Sequence, residues 1–277
     1  MPELPEVETV ARSLRPYLED NLIQDFEARW PKVVENATTR AFRAAIKGAR
    51  IQAVERRAKY MILRTDRGRV LIHLRMTGRL YPQRTKPAPS EKHVSALFQL
   101  KRGEYLVFHD TRKFGRVFYY PDDASWDEFT TRFGPEPLEH GFTPDWLVDS
   151  LKKRQRIMKP LLLDQEFIAG LGNIYVDESL WMAGIHPLTR SDRVPRAKVV
   201  ALHQAIKDVL RESIRANGTT FSDFKFLGGK KGGYTDSLKV FQRQGEACLR
   251  CGRVIEKMKV AQRGTHVCRK CQPPPRT

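Results

Sequence analysis

The four cysteines of this chain fall in two pairs, Cys248-x2-Cys251 and Cys268-x2-Cys271, with sixteen residues between them. No other feature restricts the fold as much. A C-x2-C knuckle turns tightly enough to aim two sulfurs at one point, and two knuckles complete a tetrahedron around a metal. The spacing predicts one structural Zn2+ per chain, held by Cys248, Cys251, Cys268 and Cys271. Four protein ligands leave no open position for water or substrate. The competing readings are two disulfides or four free thiols. Both suit poorly a chain whose start, Met1 to Glu6, is acidic and unlike an export signal. Between the knuckles, Val254 to Lys259 and the region of Val267 read as short strands around a turn at Gln262-Arg263-Gly264-Thr265. A metal-stiffened hairpin would then present Arg263 at its tip, as a lone solvated charge or as a phosphate contact.

The knuckles lie in the most basic part of the chain. Ten of the eighteen net positive charges fall between Lys225 and Thr277, where 13 Lys and Arg face 3 Asp and Glu. Such an excess points to a polyanion, nucleic acid before anionic membrane. No run approaches the roughly 18 apolar residues of a membrane helix, and no strongly amphipathic basic helix is visible, so no membrane partner is expected. A cytoplasmic, nucleoid-associated location is the default.

At 277 residues the chain has room for one or two domains with a proper core. Val7, Val10, Ala11, Leu14 and Leu18 share one face of a helix over residues 5–18, with Pro5 in its first turn. Short β-rich runs follow at Ile51–Val54, Tyr60–Leu63, Val70–Leu74, Ala96–Leu100, Tyr105–Phe108 and Val117–Tyr120, which suggest a sandwich or barrel. Pro82 to Lys92 reads as a polar loop. After a Gly/Pro boundary at Phe133–Pro137, helices are expected at 144–153, 157–164, 174–183 and 196–216. A Gly- and Lys-rich loop, 227–234, leads to the cysteines. The groove between a β-rich half and a helical half is where a large ligand would lie.

Chemistry has three candidate seats. Removal of the initiator Met would leave Pro2 with a free secondary amine. An α-amino group titrates at about 7.7–8.0, so part of it is a nucleophile at neutral pH and can form an iminium with an aldehyde-like carbon. Glu3 and Glu6 flank it as proton donors or acceptors. The plainer reading is that Pro-Glu-x-Pro-Glu opens a helix. Gly170-Leu171-Gly172-Asn173 would cap a helix through Asn173 and leave N–H groups for a phosphate, or be an ordinary capped helix hairpin. His73–Gly78 and Asp110–Gly115 end strands with Met76, Arg112 and Phe114, which fit wedging into a base stack or plain packing.

Together these segments resemble the bacterial formamidopyrimidine-DNA glycosylases, from Met1–Thr9 through Arg56–Tyr60, His73–Gly78, Asp110–Gly115, Gly134–Leu138 and Lys159–Pro187 to Gln262–Thr265. The resemblance implies an α+β chain: a leading helix and N-terminal β-sandwich (1–133), a helix-two-turn-helix domain with a lesion-closing loop (134–237), and a zinc-finger β-hairpin (238–277). It implies a DNA glycosylase and AP lyase of base excision repair. The substrate would be double-stranded DNA with an oxidised purine, such as 8-oxoguanine or a formamidopyrimidine, or with an abasic site. A monomer with no redox cofactor is expected.

By the same resemblance Pro2 is the nucleophile, Glu3 assists ring opening, Lys59 assists β-elimination and Arg263 grips phosphate and is linked to δ-elimination. Met76, Arg112 and Phe114 fill the gap left by a flipped nucleotide, with Arg112 facing the orphaned cytosine. Glu6, His73, His93, Arg154, Lys159, Asn173 and Tyr234 match DNA-contacting positions, and the loop before Tyr234 closes over the purine.

Three positions depart from the commonest pattern. Arg75 stands where Gly is frequent, Phe241-Gln242-Arg243 replaces Tyr-Gly-Arg, and His93 lacks a second His nearby in sequence. Two alternatives remain at this point. An endonuclease VIII-type enzyme for oxidised pyrimidines typically begins Pro-Glu-Gly, where this chain has Leu4. A zinc-finger DNA-binding protein without catalysis would make Pro2, Glu3 and Lys59 coincidental.

Overall fold

The computed structural model describes residues 2–219 and 232–275, so the Gly- and Lys-rich loop expected at 227–234 lies, up to residue 231, outside the described residues. The chain divides into two units, Met1–Arg132 with Ala216–Gly233, and Phe133–Arg215 with Tyr234–Thr277. The second grouping puts the finger with the helices.

The first unit opens with helix α1, Leu4–Leu18. Pro5 suits its first turn, and Glu3 and Glu6 form a reciprocal capping box that satisfies N–H groups the helix leaves open. Two antiparallel four-stranded sheets follow. One runs in the order β1 (Ile23–Ala28), β6 (Val94–Leu100), β7 (Tyr105–Asp110), β5 (Gly78–Gln83). The other runs β2 (Ile51–Arg57), β3 (Tyr60–Thr65), β4 (Gly68–His73), β8 (Arg116–Tyr120). The apolar face of α1 joins one core with both sheets, centred on Phe26, Phe42 and Phe98, whose rings lie 4.7 and 4.9 Å apart around Phe26.

The sequence pattern misses four elements here. Strand β1, Ile-Gln-Asp-Phe-Glu-Ala, is interrupted by charges. Strand β5 contains Pro82, which shortens the loop expected from that residue; β5 is an edge strand, where a missing N–H costs no ladder bond. Helices α2 (Thr39–Ile46) and α3 (Asp123–Thr130) are short, and each is capped by a side chain, Thr38 and Asp122.

The second unit holds α4 (Pro144–Lys152), α5 (Met158–Leu163), α6 (Asn173–Ala183) and α7 (Arg196–Arg215), then a hairpin of β9 (Glu256–Val260) and β10 (Arg263–Val267). Helix α6 is buried on almost every side. It ends at Gly184, whose backbone is left-handed at φ 64° and whose added Cβ would stand 3.1 Å from the Cys271 carbonyl oxygen. The hairpin turn is tighter than expected. Val260 pairs with Arg263 across a two-residue turn of Ala261 and Gln262, both left-handed at φ 46° and 62°. Arg263 therefore starts β10 rather than sitting inside the turn. Among the described residues no helix is long and apolar enough to cross a membrane.

Candidate active site and metal centre

In the first unit, Pro2 and Glu3 are buried ahead of α1, and Glu3 is 3% exposed. Glu6 faces inward. Its Oε2 accepts the Glu3 N–H at 2.9 Å, and its Oε1 accepts the Thr219 N–H and hydroxyl at 2.8 and 2.9 Å. One carboxylate thus fixes both the catalytic candidate Glu3 and the root of the segment that follows Thr219.

Lys59 occupies the two-residue turn between β2 and β3, where Arg57 pairs with Tyr60. Its neighbour Ala58 is left-handed at φ 51° and fully buried, a strained choice for a residue with a Cβ. Arg56 fixes this turn to α1: its guanidinium donates to the Ala58 carbonyl at 2.9 Å and to Glu8 at 3.2 Å. Lys59 itself is 6% exposed.

Met76, Arg112 and Phe114 come together from two loops. Arg112 Cζ stacks 4.6 Å over the Phe114 ring, and its Nη1 lies 3.0 Å from Met76 Sδ. Met76 and Phe114 are 41% and 46% exposed, unusual for large apolar side chains in a unit with so complete a core. Asp110, fully buried, organises these loops: it accepts the Thr77 hydroxyl, the Arg112 N–H at 3.2 Å and the Gly115 N–H at 2.7 Å. Sequence reasoning gave Asp110 no role.

His73 is buried, and its Nδ1 accepts the Arg75 N–H at 2.9 Å. Burial first, then the positive charges of Arg75 and Lys59, push its pKa down to about 3, so the ring is neutral. Two departures from the family pattern acquire a physical reading, since Arg75 and Gln242 are left-handed at φ 55° and 60°, where Gly is the easy choice. His93, exposed and left-handed at φ 68°, has a second histidine beside it after all: His109 of β7, with ring centroids 5.7 Å apart.

In the second unit, Asn173 does not cap α6. Gly172 is the N-cap, and Asn173 Nδ2 instead donates to the Gly264 carbonyl oxygen at 2.9 Å. The same oxygen accepts Lys159 Nζ at 3.1 Å. Lys159 is fully buried and ion-paired with the equally buried Asp177 at 2.5 Å, while the other Asp177 oxygen accepts the His266 N–H at 2.9 Å. The hairpin that carries Arg263 is thus tied to α6 at Gly264 and at His266, and Arg263 itself is exposed. Glu178, also fully buried, accepts the N–H groups of Lys239, Val240 and Phe241 at 2.8–2.9 Å. Its burial pushes its pKa up, against those three donors. Neither carboxylate was picked out from the sequence. The signal was present: acidic residues on a helix with no polar face must have internal partners.

Tyr234 is 3% exposed against Tyr175, and burial pushes its phenol up. Arg154 is exposed, with its guanidinium 4.9 Å over Phe167. Direct DNA contact was expected of Glu6, His73, Lys159 and Tyr234. In the structure without DNA all four are buried, and the polar atoms of Glu6, His73 and Lys159 bond to neighbouring protein groups.

The four cysteine sulfurs lie within 4.8 Å of one another, with Cys248 to Cys271 at 3.8 Å and Cys251 to Cys268 at 3.4 Å. These are not disulfides, whose sulfurs would be about 2.05 Å apart. Tetrahedral zinc with Zn–S of about 2.3 Å requires sulfurs about 3.8 Å apart, which the cluster matches. Burial and then the neighbouring thiols push Cys271 up, while at Cys248 burial is outweighed by N–H donors of the knuckle and of Trp181, which bring it down. The residues fit one structural Zn2+.

Comparison with known proteins accords with this layout. Residues 1–117 match the formamidopyrimidine-DNA glycosylase N-terminal domain, 133–225 its H2TH domain, and 245–274 the zinc finger found in FPG and IleRS. The chain is 43% identical to the formamidopyrimidine-DNA glycosylase of Protochlamydia amoebophila, over 98% of this chain and 99% of that protein. It is 44% identical to that of Chloroflexus aggregans, over 98% of each. Among solved structures it resembles the complex of Lactococcus lactis Fpg with DNA containing an abasic site, at a TM-score of 0.91, 37% identity, and coverage of 98% of this chain and 100% of that one. The chain belongs to the formamidopyrimidine-DNA glycosylase family.

Proposed function

We propose that this chain removes oxidised purines from double-stranded DNA and then cleaves the strand at the abasic site. The observation that carries the reading is the exposed Met76–Arg112–Phe114 cluster. Chemistry on a base inside a duplex requires extrusion, and these three side chains suit the gap that extrusion leaves. Relatives have been solved with Fapy-dG DNA and with abasic DNA, which supports the same substrate class here.

In the proposed reaction the Pro2 nitrogen, freed by loss of Met1, attacks C1′ with its lone pair. The glycosidic bond breaks with its electrons on the departing base, which takes up a proton. Glu3 protonates O4′ as the sugar ring opens, leaving an iminium between Pro2 and C1′. Loss of a C2′ proton then expels the 3′-phosphate, with Lys59 assisting, and Arg263 holds phosphate for the second elimination. Arg112 reads the orphaned cytosine. His93, Arg154, Asn173 and Arg263 supply contacts to the DNA backbone, while Glu6, His73, Lys159 and Tyr234 position their neighbours.

Borohydride trapping tests this on an 8-oxoguanine·cytosine duplex. The native protein should become covalently linked to the damaged strand, and Pro2→Gly should not at equal early times. Absence of any trapped species would refute the reading. Faster release of thymine glycol than of 8-oxoguanine would move the chain to the oxidised-pyrimidine class.

A further inference from the structure

We propose that the Trp181 indole N–H is a hydrogen-bond donor to the zinc-bound Cys248 sulfur, so that helix α6 helps to hold the metal although it contributes no ligand. Trp181 lies in the last turn of α6, is 6% exposed, and shares one buried cluster with Val240, Cys248, Ile255 and Cys268. Its Nε1 is buried and, among the described residues, makes no hydrogen bond in the absence of the metal. The sulfurs packed in its cluster are those of Cys248 and Cys268, and its N–H favours the thiolate of Cys248. A buried N–H left without an acceptor costs about 1–3 kcal/mol, and an anionic thiolate accepts more strongly than a neutral thiol.

Arg250 of the first knuckle holds the indole in place. Its guanidinium lies 4.2 Å over the ring, and it donates to the carbonyl oxygens of Trp181 at 3.3 Å and Met182 at 3.2 Å. Those carbonyls belong to the helix end, where cations are favoured. The knuckle's remaining donors to Cys248, from Arg250 and Cys251, are local backbone groups. Trp181 reaches in from a helix outside the finger, whereas Cys268, which also acts on Cys248, is itself a zinc ligand of the second knuckle. Donors of this kind orient metal ligands and tune their electron density, and losing one typically weakens metal binding by roughly 10–100-fold. The other end of α6 holds Gly264 and His266 through Asn173 and Asp177, so the helix joins the metal to the hairpin that carries Arg263.

Trp181→Phe keeps a ring beneath Arg250 and removes only the N–H. Zinc-loaded full-length protein would be titrated with the chromophoric chelator 4-(2-pyridylazo)resorcinol, and a Co2+-substituted sample would be read by absorption. The expected result is zinc retention weakened by roughly 10–100-fold. The thiolate-to-cobalt band should also move to lower energy, because the sulfur regains electron density. Arg250→Ala, which loosens packing but leaves the N–H, should weaken zinc less and leave the cobalt band in place. Unchanged zinc retention in Trp181→Phe overturns the proposal. So does a loss no larger than that of Arg250→Ala with an unmoved cobalt band, which assigns the effect to packing. If Trp181→Phe does not accumulate, the native protein decides: its Trp181 indole proton should shift downfield and exchange slowly when zinc is added to the metal-free chain, and no shift counts against the bond. None of these readouts uses DNA, so they stand apart from the trapping result.

Discussion

Among the described residues, twenty-five buried apolar side chains of the first unit form one cluster around Phe26, Phe42 and Phe98, whereas the cluster joining the finger to α6 holds five, two of them cysteines. The sandwich can rest on transfer of apolar surface from water. The finger cannot, and small domains with little core need a metal or a covalent link. Here zinc is joined by two buried carboxylates, Asp177 and Glu178, which hold the hairpin and the segment 239–241 that precedes the knuckles. The difference has a functional side. In the sandwich Lys59, Met76, Arg112 and Phe114 lie in turns and loops at strand ends, and left-handed residues collect there at Ala58, Arg75 and His93. In the second unit the atoms that hold the fold are the ones beside Arg263 and Asn173. Damage to the fold and damage to the site are therefore separable in one unit and inseparable in the other.

The largest test is metal removal. Structural zinc contributes about 10–16 kcal/mol of apparent binding energy in finger peptides. Chelation should unfold residues 238–275 and abolish borohydride trapping, while amides of β3, β4, β6 and β7 keep their protection. Hydrogen exchange followed by peptide mapping checks this. Loss of protection in the sandwich at the same chelator concentration would break the contrast between the units.

Next in size is the buried ion pair. Asp177→Ala leaves the Lys159 ammonium uncompensated in the interior and should cost about 3–5 kcal/mol in denaturant unfolding. The pair Lys159→Met with Asp177→Leu removes both charges and should recover most of that loss. It cannot restore the bonds to Gly264 and His266, so strand cleavage should stay low in the stable double variant. Recovery of both stability and cleavage would show that the pair serves folding alone.

That coupling also explains what could be read in advance. The zinc ligands were legible because spacing alone dictates their chemistry, and Met76, Arg112 and Phe114 because they sit in short motifs at strand ends. Asp177 and Glu178 were not, since a carboxylate on a helix ordinarily reads as solvent-facing. Only the absence of a polar face on α6 betrays them. The ion pair of Lys159 was hidden for a related reason: a lysine in a basic protein suggests phosphate, and nothing local reveals Asp177 eighteen residues later. Strand β5 was hidden by Pro82, which is tolerated only because the strand is an edge, a fact of topology rather than of sequence.

Within the sandwich a smaller effect should appear on acidification. His73 titrates at about 3 in the fold, against about 6.5 when exposed. Its neutral ring therefore contributes stability that is fully present above pH 6.5. That contribution is lost as pH falls toward 3, because the unfolded chain takes up the proton first. The loss should reach about 1–2 kcal/mol by pH 5. His73→Asn can still accept the Arg75 N–H and does not titrate, so its urea-derived stability should vary less between pH 7 and 5. Parallel curves for the two proteins would remove His73 from the account.

The smallest expected change in stability is also the sharpest probe of the separation. Ala58→Gly relieves a left-handed residue, worth about 1–2 kcal/mol, but loses a buried methyl and adds backbone entropy to the unfolded chain, together of similar size. Thermal unfolding should move by less than about 0.5 kcal/mol. The turn would nonetheless become looser next to Lys59, although Arg56 still bonds the residue 58 carbonyl. If the strained alanine holds Lys59 in position, single-turnover cleavage of an abasic duplex should fall by about 3- to 10-fold, since misplacement of a reacting group is felt steeply in rate. A flat melt with slower cleavage is the signature of a site carried on a loop whose strain the core tolerates. A flat melt with unchanged cleavage would mean that the left-handed turn serves the hairpin alone. A large loss of stability would mean that the loop, like the finger, holds part of the fold.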